Sequence, residues 1–249
     1  MFKPITGNKF RFRCHKDIQC FTECCSDLNL VLTPYDIIRI KNRLGLPSDD
    51  FLTKYTDTRF DNKARFPRVI LKMNKDKNKK CPFVSSDGCT IYQDRPGACR
   101  IYPIGRAAMK PDGKTDTCEH FFIVQEKHCL GFQEDKEWTI EEWMKNEGLD
   151  KYNTMNDKWL EIITSPKNLG REKETAQKIQ MFFMASYNLD KFRKFIFESN
   201  FLKLFEIEPA LKEKLFSDDV ELMKFAFDWL KFSLYGDKTI RIRPEAIPS

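Results

Sequence analysis

The sequence predicts a mainly α-helical protein with one small antiparallel β-hairpin, a cysteine-rich metal-binding front half being followed by an all-helical half. Three observations carry this reading. All nine cysteines fall between Cys14 and Cys129. Apolar residues recur at helical spacing from Thr139 onward. A β-branched run beside turn residues lies between the cysteine groups. The expected division is a cysteine-cluster domain over 1–138 and a helical domain over 139–249.

The elements follow in order. Residues 31–46 (VLTPYDIIRIKNRLGL) read as a helix, with Thr33 as N-cap, Pro34 in the first helical position, Asp36 at the positive end and Gly45 as the stop. A shorter helix is expected over Ser48–Tyr55, capped by Ser48 and opened by Asp49 and Asp50. FPRVILKM (66–73) reads as a strand leading through a lysine run toward Cys81, and Asp87-Gly88 marks a turn ahead of Cys89, so a hairpin is expected to carry cysteines at its end. Cys20 and Cys24, four apart, would share a face if their stretch is helical.

From Thr139 the pattern is helical, opened by a capping box of Thr139 and Glu142. QMFFMASY, LDKFRKFIF (189–197) and VELMKFAFDWLKFSL (220–234) supply apolar faces, with Ser217 or Asp218 as a cap and Gly236 as a stop. Their Phe and Met stripes read as helical core. Ser165–Gly170 reads as a loop.

With 249 residues and 41% hydrophobic content, the chain buries a substantial core without cysteine staples. No apolar run approaches the ~20 residues of a membrane span, and the start, MFKPITGNKFRFRC, lacks the apolar stretch of a signal peptide. A cytoplasmic location without membrane attachment is therefore expected. Thiols are kept reduced there, so grouped cysteines point to a metal site rather than a disulfide framework, and the odd count agrees.

The net charge of +6 is modest for this length. Lys72–Lys80 (KMNKDKNKK) is strongly basic and reads as a solvated hairpin tip. No aromatic platform interleaves with it, which argues against nucleic acid.

The cysteines form the groups Cys14, Cys20, Cys24 and Cys25, then Cys81, Cys89 and Cys99, then Cys118 and Cys129. Pro96 can start a short helix that places Cys99 near its positive end, where a thiolate is favoured. His15, His120 and His128 stand near cysteines, but no paired spacing supports ligation. Cys14 and Cys118 have the strongest case as ordinary thiols.

This array resembles the YkgJ-type cysteine-cluster family (CxxCxxCC), whose domains are regarded as zinc- or iron-chelating. The matching pieces are Cys20, Cys24 and Cys25, Leu32-Thr33-Pro34-x-Asp36-Ile37, Cys81-Pro82-Phe83, Gly88-Cys89-x-Ile91-Tyr92, Arg95-Pro96-x2-Cys99-Arg100-x-Tyr102-Pro103 and Cys129-x-Gly131. They cover roughly residues 10–135. Two features depart from the pattern: the first spacings are five and three rather than two and two, and Leu130 stands where proline is usual.

The expected metal ligands are Cys14, Cys20, Cys24, Cys25, Cys81, Cys89, Cys99 and Cys129. Arg95, Arg100, Tyr92 and Tyr102 would supply charge balance and a dry wall around the cofactor. Eight or nine sulfurs exceed one four-ligand site, so either two sites exist or some thiols are spare. An iron-sulfur cluster (4Fe-4S) is the favoured cofactor and zinc the alternative, because four thiolates suit both.

Three functions follow as expectations. The first is electron transfer or protein modification, with an unidentified protein or redox partner. The second is a zinc-stabilised structural or binding module without catalysis. The third, implied by resemblance to flagellin lysine N-methylases, is protein methyl transfer, although no glycine-rich nucleotide loop follows a strand. No P-loop, HExxH or Ser-His-Asp pattern assigns a reaction.

Overall fold

The computed structural model describes residues 2–5, 7–61, 64–109 and 118–246. In chain order, its elements begin with β1 (Phe2–Pro4), β2 (Lys9–Arg11), β3 (Val31–Leu32), α1 (Pro34–Leu44), α2 (Ser48–Tyr55), β4 (Thr56–Arg59) and β5 (Arg68–Leu71). Next come β6 (Val84–Ser85), β7 (Gly88–Cys89), α3 (Gly97–Ile101), β8 (Ile104–Met109), β9 (Cys118–Val124) and β10 (Glu137–Thr139). The helices α4 (Ile140–Asn146), α5 (Leu149–Ile163), α6 (Glu172–Tyr187), α7 (Leu189–Glu198), α8 (Phe201–Leu204), α9 (Pro209–Ser217) and α10 (Asp219–Tyr235) follow. The chain is thus about half helical, with small antiparallel sheets.

The chain forms two compact units, Met1–Val31 with Leu71–Asp157, and Leu32–Ile70 with Lys158–Ser249. The units interleave, whereas the sequence places one boundary at 138/139. The reason lies in which apolar faces find partners. α1 buries Tyr35, Ile37, Ile38 and Ile40, and α2 buries Phe51. These faces pack on α6, α7 and α10 rather than within the cysteine-bearing segment.

The first unit contains every cysteine. Its main sheet has the order β1-β9-β8, with Phe2 opposite Val124 and Ile104 opposite Ile123. β2 pairs antiparallel with β10, setting Phe10 opposite Trp138. Between these sheets lies a core of Phe10, Phe12, Ile104 and Trp143, with Tyr102, Cys129 and Phe132 packed against it. Phe12 meets Tyr102, Phe132 and Trp143 edge to face, the geometry that ring quadrupoles favour. Half-buried Arg106 donates two 2.8 Å bonds to Asp157 and one of 2.6 Å to Glu119, which anchors the β8–β9 hairpin to α5.

The expected hairpin is present but sits elsewhere than the strand signal implied. β6 and β7 pair through the turn at Asp87-Gly88, with Val84 opposite Cys89. β5, the FPRVILKM strand, instead takes the centre of a separate sheet of order β3-β5-β4. Val69, Ile70 and Leu71 are all buried, and three consecutive buried residues belong to a covered central strand rather than to an exposed hairpin arm.

In the second unit the local helix signals hold. Thr33 and Asp36 complete a capping box on α1, which ends at Gly45 (φ 64°), a left-handed position suited to glycine. Asp218, not Ser217, caps α10 by accepting from Val220 and Glu221, and Gly236 ends that helix. Ser48 is the first residue of α2 rather than its cap; its N–H donates to Asp190 (2.7 Å). The aromatic stripes are core: Phe182, Phe192, Phe201 and Trp229 are buried. The capping box of Thr139 and Glu142 is likewise formed on α4 in the first unit. Among the described residues, no helix is long and apolar enough to cross a membrane.

Candidate metal centre

Two backbone seams set cysteine-bearing segments side by side in the first unit. In one, the backbone next to Cys14 joins the backbone beyond Cys129: Phe12 N–H donates to Lys136 O (2.9 Å), Arg13 N–H to Gly131 O (3.0 Å) and the Trp138 indole to Phe12 O (3.0 Å). These bonds continue the β2–β10 pairing. In the other seam, Cys81 N–H donates to Cys25 O (2.7 Å) and Asp27 N–H to Lys79 O (3.0 Å). The Phe21 ring also lies against Gly88, where an added Cβ would sit 3.1 Å from it.

The stretch between the seams is not the helix that spacing allowed. Residues 16–22 turn, and only Glu23–Cys25 forms a single 3-10 turn, entered from Thr22 at φ 68°. A β-branched residue in the left-handed region is strained by about 1–2 kcal/mol. Asp27 (φ 50°) and Lys79 (φ 47°) are also left-handed, so three strained residues flank Cys24, Cys25 and Cys81. Turns, rather than a helical face, carry the chain from Cys20 to Cys24.

The first thiol group contains Cys14, Cys20, Cys24 and Cys129. Its members are close enough for charge on one to act on another. The Cys14 thiol is pushed up to about 11, by the surrounding protein first and then by Cys24, Cys20 and Cys129. Cys24 is raised by its hydrogen bond with Cys25, by burial and by the charges of Cys25 and Glu126. Cys129 is raised by burial and by Cys20 and Cys24, against the lowering pull of Tyr102 and of the Gly131 N–H. Leu130 N–H donates to Cys20 Sγ at 3.2 Å.

Tyr102 Oη is buried in this group without a partner in ordinary hydrogen-bond geometry. It lies beside the Cys129 sulfur. Burial raises this phenol first, followed by the sulfur and by the charges of Cys24 and Glu126. A buried hydroxyl with no partner is costly, and a charged sulfur at Cys129 would be its natural acceptor.

The second group contains Cys81 and Cys89, on the flanks of the β6–β7 hairpin. Burial first, and Cys89 after it, push Cys81 up to about 11, while the Phe83 N–H pulls it down. Cys89 is raised by burial and lowered by the Ile91 N–H and by Arg95. Cys81, Cys89 and Cys129 therefore share one local device, an amide two residues onward directed at the sulfur. Such donors favour the thiolate form. Cys99 is half-buried in α3, which follows Pro96 as expected and is five residues long.

The four residues expected to line a cofactor divide. Tyr102 faces Cys129, and the charge of Arg95 reaches Cys89. Arg95 is also ion-paired with buried Glu147 and stacked 3.7 Å from the centre of the Tyr92 ring. Arg100 is held by the carbonyls of Arg95 (3.2 Å), Glu147 (2.8 Å) and Gln93, and lies over the Tyr152 ring. Arg100 thus belongs to a buried knot that fixes α3 to the end of α4, and Tyr92, itself 54% exposed, covers Arg95 from the solvent side. Glu147, Glu126 and the Leu130 amide gave no sequence signal; Gly131 stood in the Cys129-x-Gly131 pattern.

Cys118 is exposed, with its sulfur 3.7 Å from His120 Nε2. His15 faces Glu134 (3.4 Å) and His128 faces Glu126 (3.5 Å).

Among the described residues, no three Cys, His, Asp or Glu side chains stand closely enough to hold a metal ion as they are. The donor set nevertheless fits a thiophilic metal in kind, being sulfur gathered from distant segments beside a buried, unpartnered hydroxyl.

No curated protein and no solved structure matches the chain. Residues 13–130 match the sequence model of the CxxCxxCC family, described as a "Putative zinc- or iron-chelating domain". That segment starts beside Cys14 and ends at Leu130, whose amide meets Cys20, so it encloses both thiol groups and both seams. Over residues 13–130, just under half of its length, the chain is therefore similar to the CxxCxxCC family.

Proposed function

We propose that Cys14, Cys20, Cys24 and Cys129 chelate iron as part of an iron-sulfur cluster, with Cys25, Cys81, Cys89 and Cys99 completing this site or a neighbouring one. The observation that supports the reading is that four thiols, three from residues 14–24 and one from residue 129, lie within electrostatic reach of one another, with the Tyr102 hydroxyl beside Cys129. Amide donors to the sulfurs of Cys20, Cys81, Cys89 and Cys129 are the kind of contact that tunes a cluster's potential. Electron exchange with a protein partner is the role that such a centre serves.

Zinc is the second reading. The same amides stabilise a zinc tetrathiolate, and the family description names both metals. In that case the metal holds together a loop-rich unit. A methyl-transfer role rests on the sequence resemblance alone.

The test is anaerobic purification followed by elemental analysis, acid-labile sulfide assay and a visible spectrum. Iron with sulfide and visible absorbance is the expected result. Zinc alone selects the second reading. A chain that holds neither metal, even after reconstitution, overturns both.

A further inference from the structure

We infer that the lysine loop over residues 74–80 is a docking surface for an acidic protein partner of the metal centre. This rests on the chelation reading only for the partner's purpose, not for the surface itself. The loop is built rather than frayed. Asp76 Oδ1 accepts from Asn78 N–H (2.9 Å) and Lys80 N–H (3.3 Å), Lys79 N–H donates to Asp76 O (3.1 Å), and Asn74 N–H donates to Lys80 O (2.8 Å).

The loop is also fastened to the cysteine segment. Asp27 N–H donates to Lys79 O, Lys79 Nζ pairs with Asp27 (3.0 Å), Ser26 bridges Lys80, and Cys81 N–H donates to Cys25 O. Charges on this loop therefore stand at a fixed place beside Cys25 and Cys81.

Three of them are free. Lys75, Lys77 and Lys80 are exposed, and among the described residues they make no ion pair. Asp27 takes Lys79 and Asp87 takes Lys16, while the Asp76 carboxylate, bonded to the loop's own amides, keeps its charge and offsets one lysine, so the loop remains net positive. Unpaired like charges carried on a fixed stretch of backbone steer an oppositely charged protein, while strongly hydrated lysines keep the contact transient.

Nucleic acid fits less well. The loop has no aromatic side chain to stack a base and no arginine fork for phosphate. Three lysines also give few phosphate contacts.

The experiment uses the full chain as purified, with a plant-type [2Fe-2S] ferredoxin as the small acidic probe, and measures Kd by calorimetry at low and raised salt. Wild type is expected to bind with an affinity that falls ~10-fold as screening increases. The triple variant Lys75→Gln, Lys77→Gln, Lys80→Gln is expected to bind ~10-fold more weakly at low salt, with an unchanged melting midpoint. Lys212→Gln with Lys238→Gln in the second unit should leave binding unaltered.

Equal affinity of the triple variant and wild type, no binding at low salt, or preference for a single-stranded oligonucleotide over the ferredoxin would each overturn the inference. Metal analysis of the same samples is independent of it. A metal-free chain that still binds through these lysines would defeat chelation and leave the docking surface standing.

Discussion

The backbone N–H of Leu130 donates to the sulfur of Cys20 at 3.2 Å, across 110 residues of chain. This bond joins the first and last cysteine segments. It also aims a donor at a sulfur, an arrangement that gains strength when the sulfur is charged.

Replacing Cys20 with serine keeps an acceptor for Leu130 and removes the soft donor. Cys20→Ser is expected to weaken metal retention at least ~10-fold against a competing chelator. Cys118→Ser, whose sulfur lies beside His120 and apart from both thiol groups, should leave retention unaltered. Metal per chain after graded chelator exposure distinguishes the two, and equal loss would disprove the grouping.

Gly131 is tightly enclosed. A Cβ there would lie 2.7 Å from the Phe12 ring and 2.9 Å from Arg13 O, and the backbone oxygen has little room to retreat. Gly131→Ala is expected to cost about 1–3 kcal/mol and to reduce metal content, because Gly131 also donates its N–H to Cys129. Urea unfolding monitored alongside metal analysis would reveal both effects.

Arg95 and Glu147 form an ion pair with side chains only 10% and 7% exposed. Glu147→Ala leaves the Arg95 charge buried and unpaired, and is expected to destabilise the first unit by about 3–5 kcal/mol. Replacing both residues with apolar ones should cost clearly less. Denaturant midpoints of the single and double variants test this; if the double variant is as unstable as the single one, the pair is not what matters.

Lys41, buried in α1, bonds Asp219 at 2.8 Å and stands 3.8 Å from Asp190, while Arg193 contacts both acids. Burial pushes the Asp219 carboxyl up, but the bonds from Lys41 and Arg193 outweigh it and hold the carboxyl below the usual range. Burial likewise opposes the lowering of Asp190, which comes first from the Ser48 N–H and then from the Lys41 and Arg193 charges. A depressed folded value contributes stability that is present above the unfolded pKa of about 3.9 and lost as pH falls through the folded value. Wild type should therefore lose stability below pH ~4. Asp219→Asn should flatten that slope and cost about 1–3 kcal/mol at neutral pH, as read from denaturant midpoints across pH. An unchanged acid slope would exclude Asp219 as its source.

Signals confined to a few neighbouring residues were legible in the sequence. Thr33 with Asp36, and Thr139 with Glu142, complete their capping boxes within four positions, so no distant contact is needed to read them. The Asp87-Gly88 turn was equally local. The helical face offered to Cys20 and Cys24 was not real, because Thr22 takes a left-handed conformation that its own type disfavours. Arg95 and Arg100 looked like cluster counter-charges; most of their bonding goes instead to Glu147 and to backbone carbonyls, which no spacing rule connects to them.

By itself the sequence determined the kind of chemistry: nine cysteines in one segment, the helix caps, and the aromatic stripes that become core. Tertiary structure decided which sulfurs meet, that α1 and α2 pack with the C-terminal helices, and which lysines stay free. The physical reason is range. Caps and turns are settled by bonds between near neighbours, whereas thiol grouping and charge pairing depend on seams between strands far apart in the chain, such as β2 with β10, whose partners become known only once the apolar faces have chosen each other.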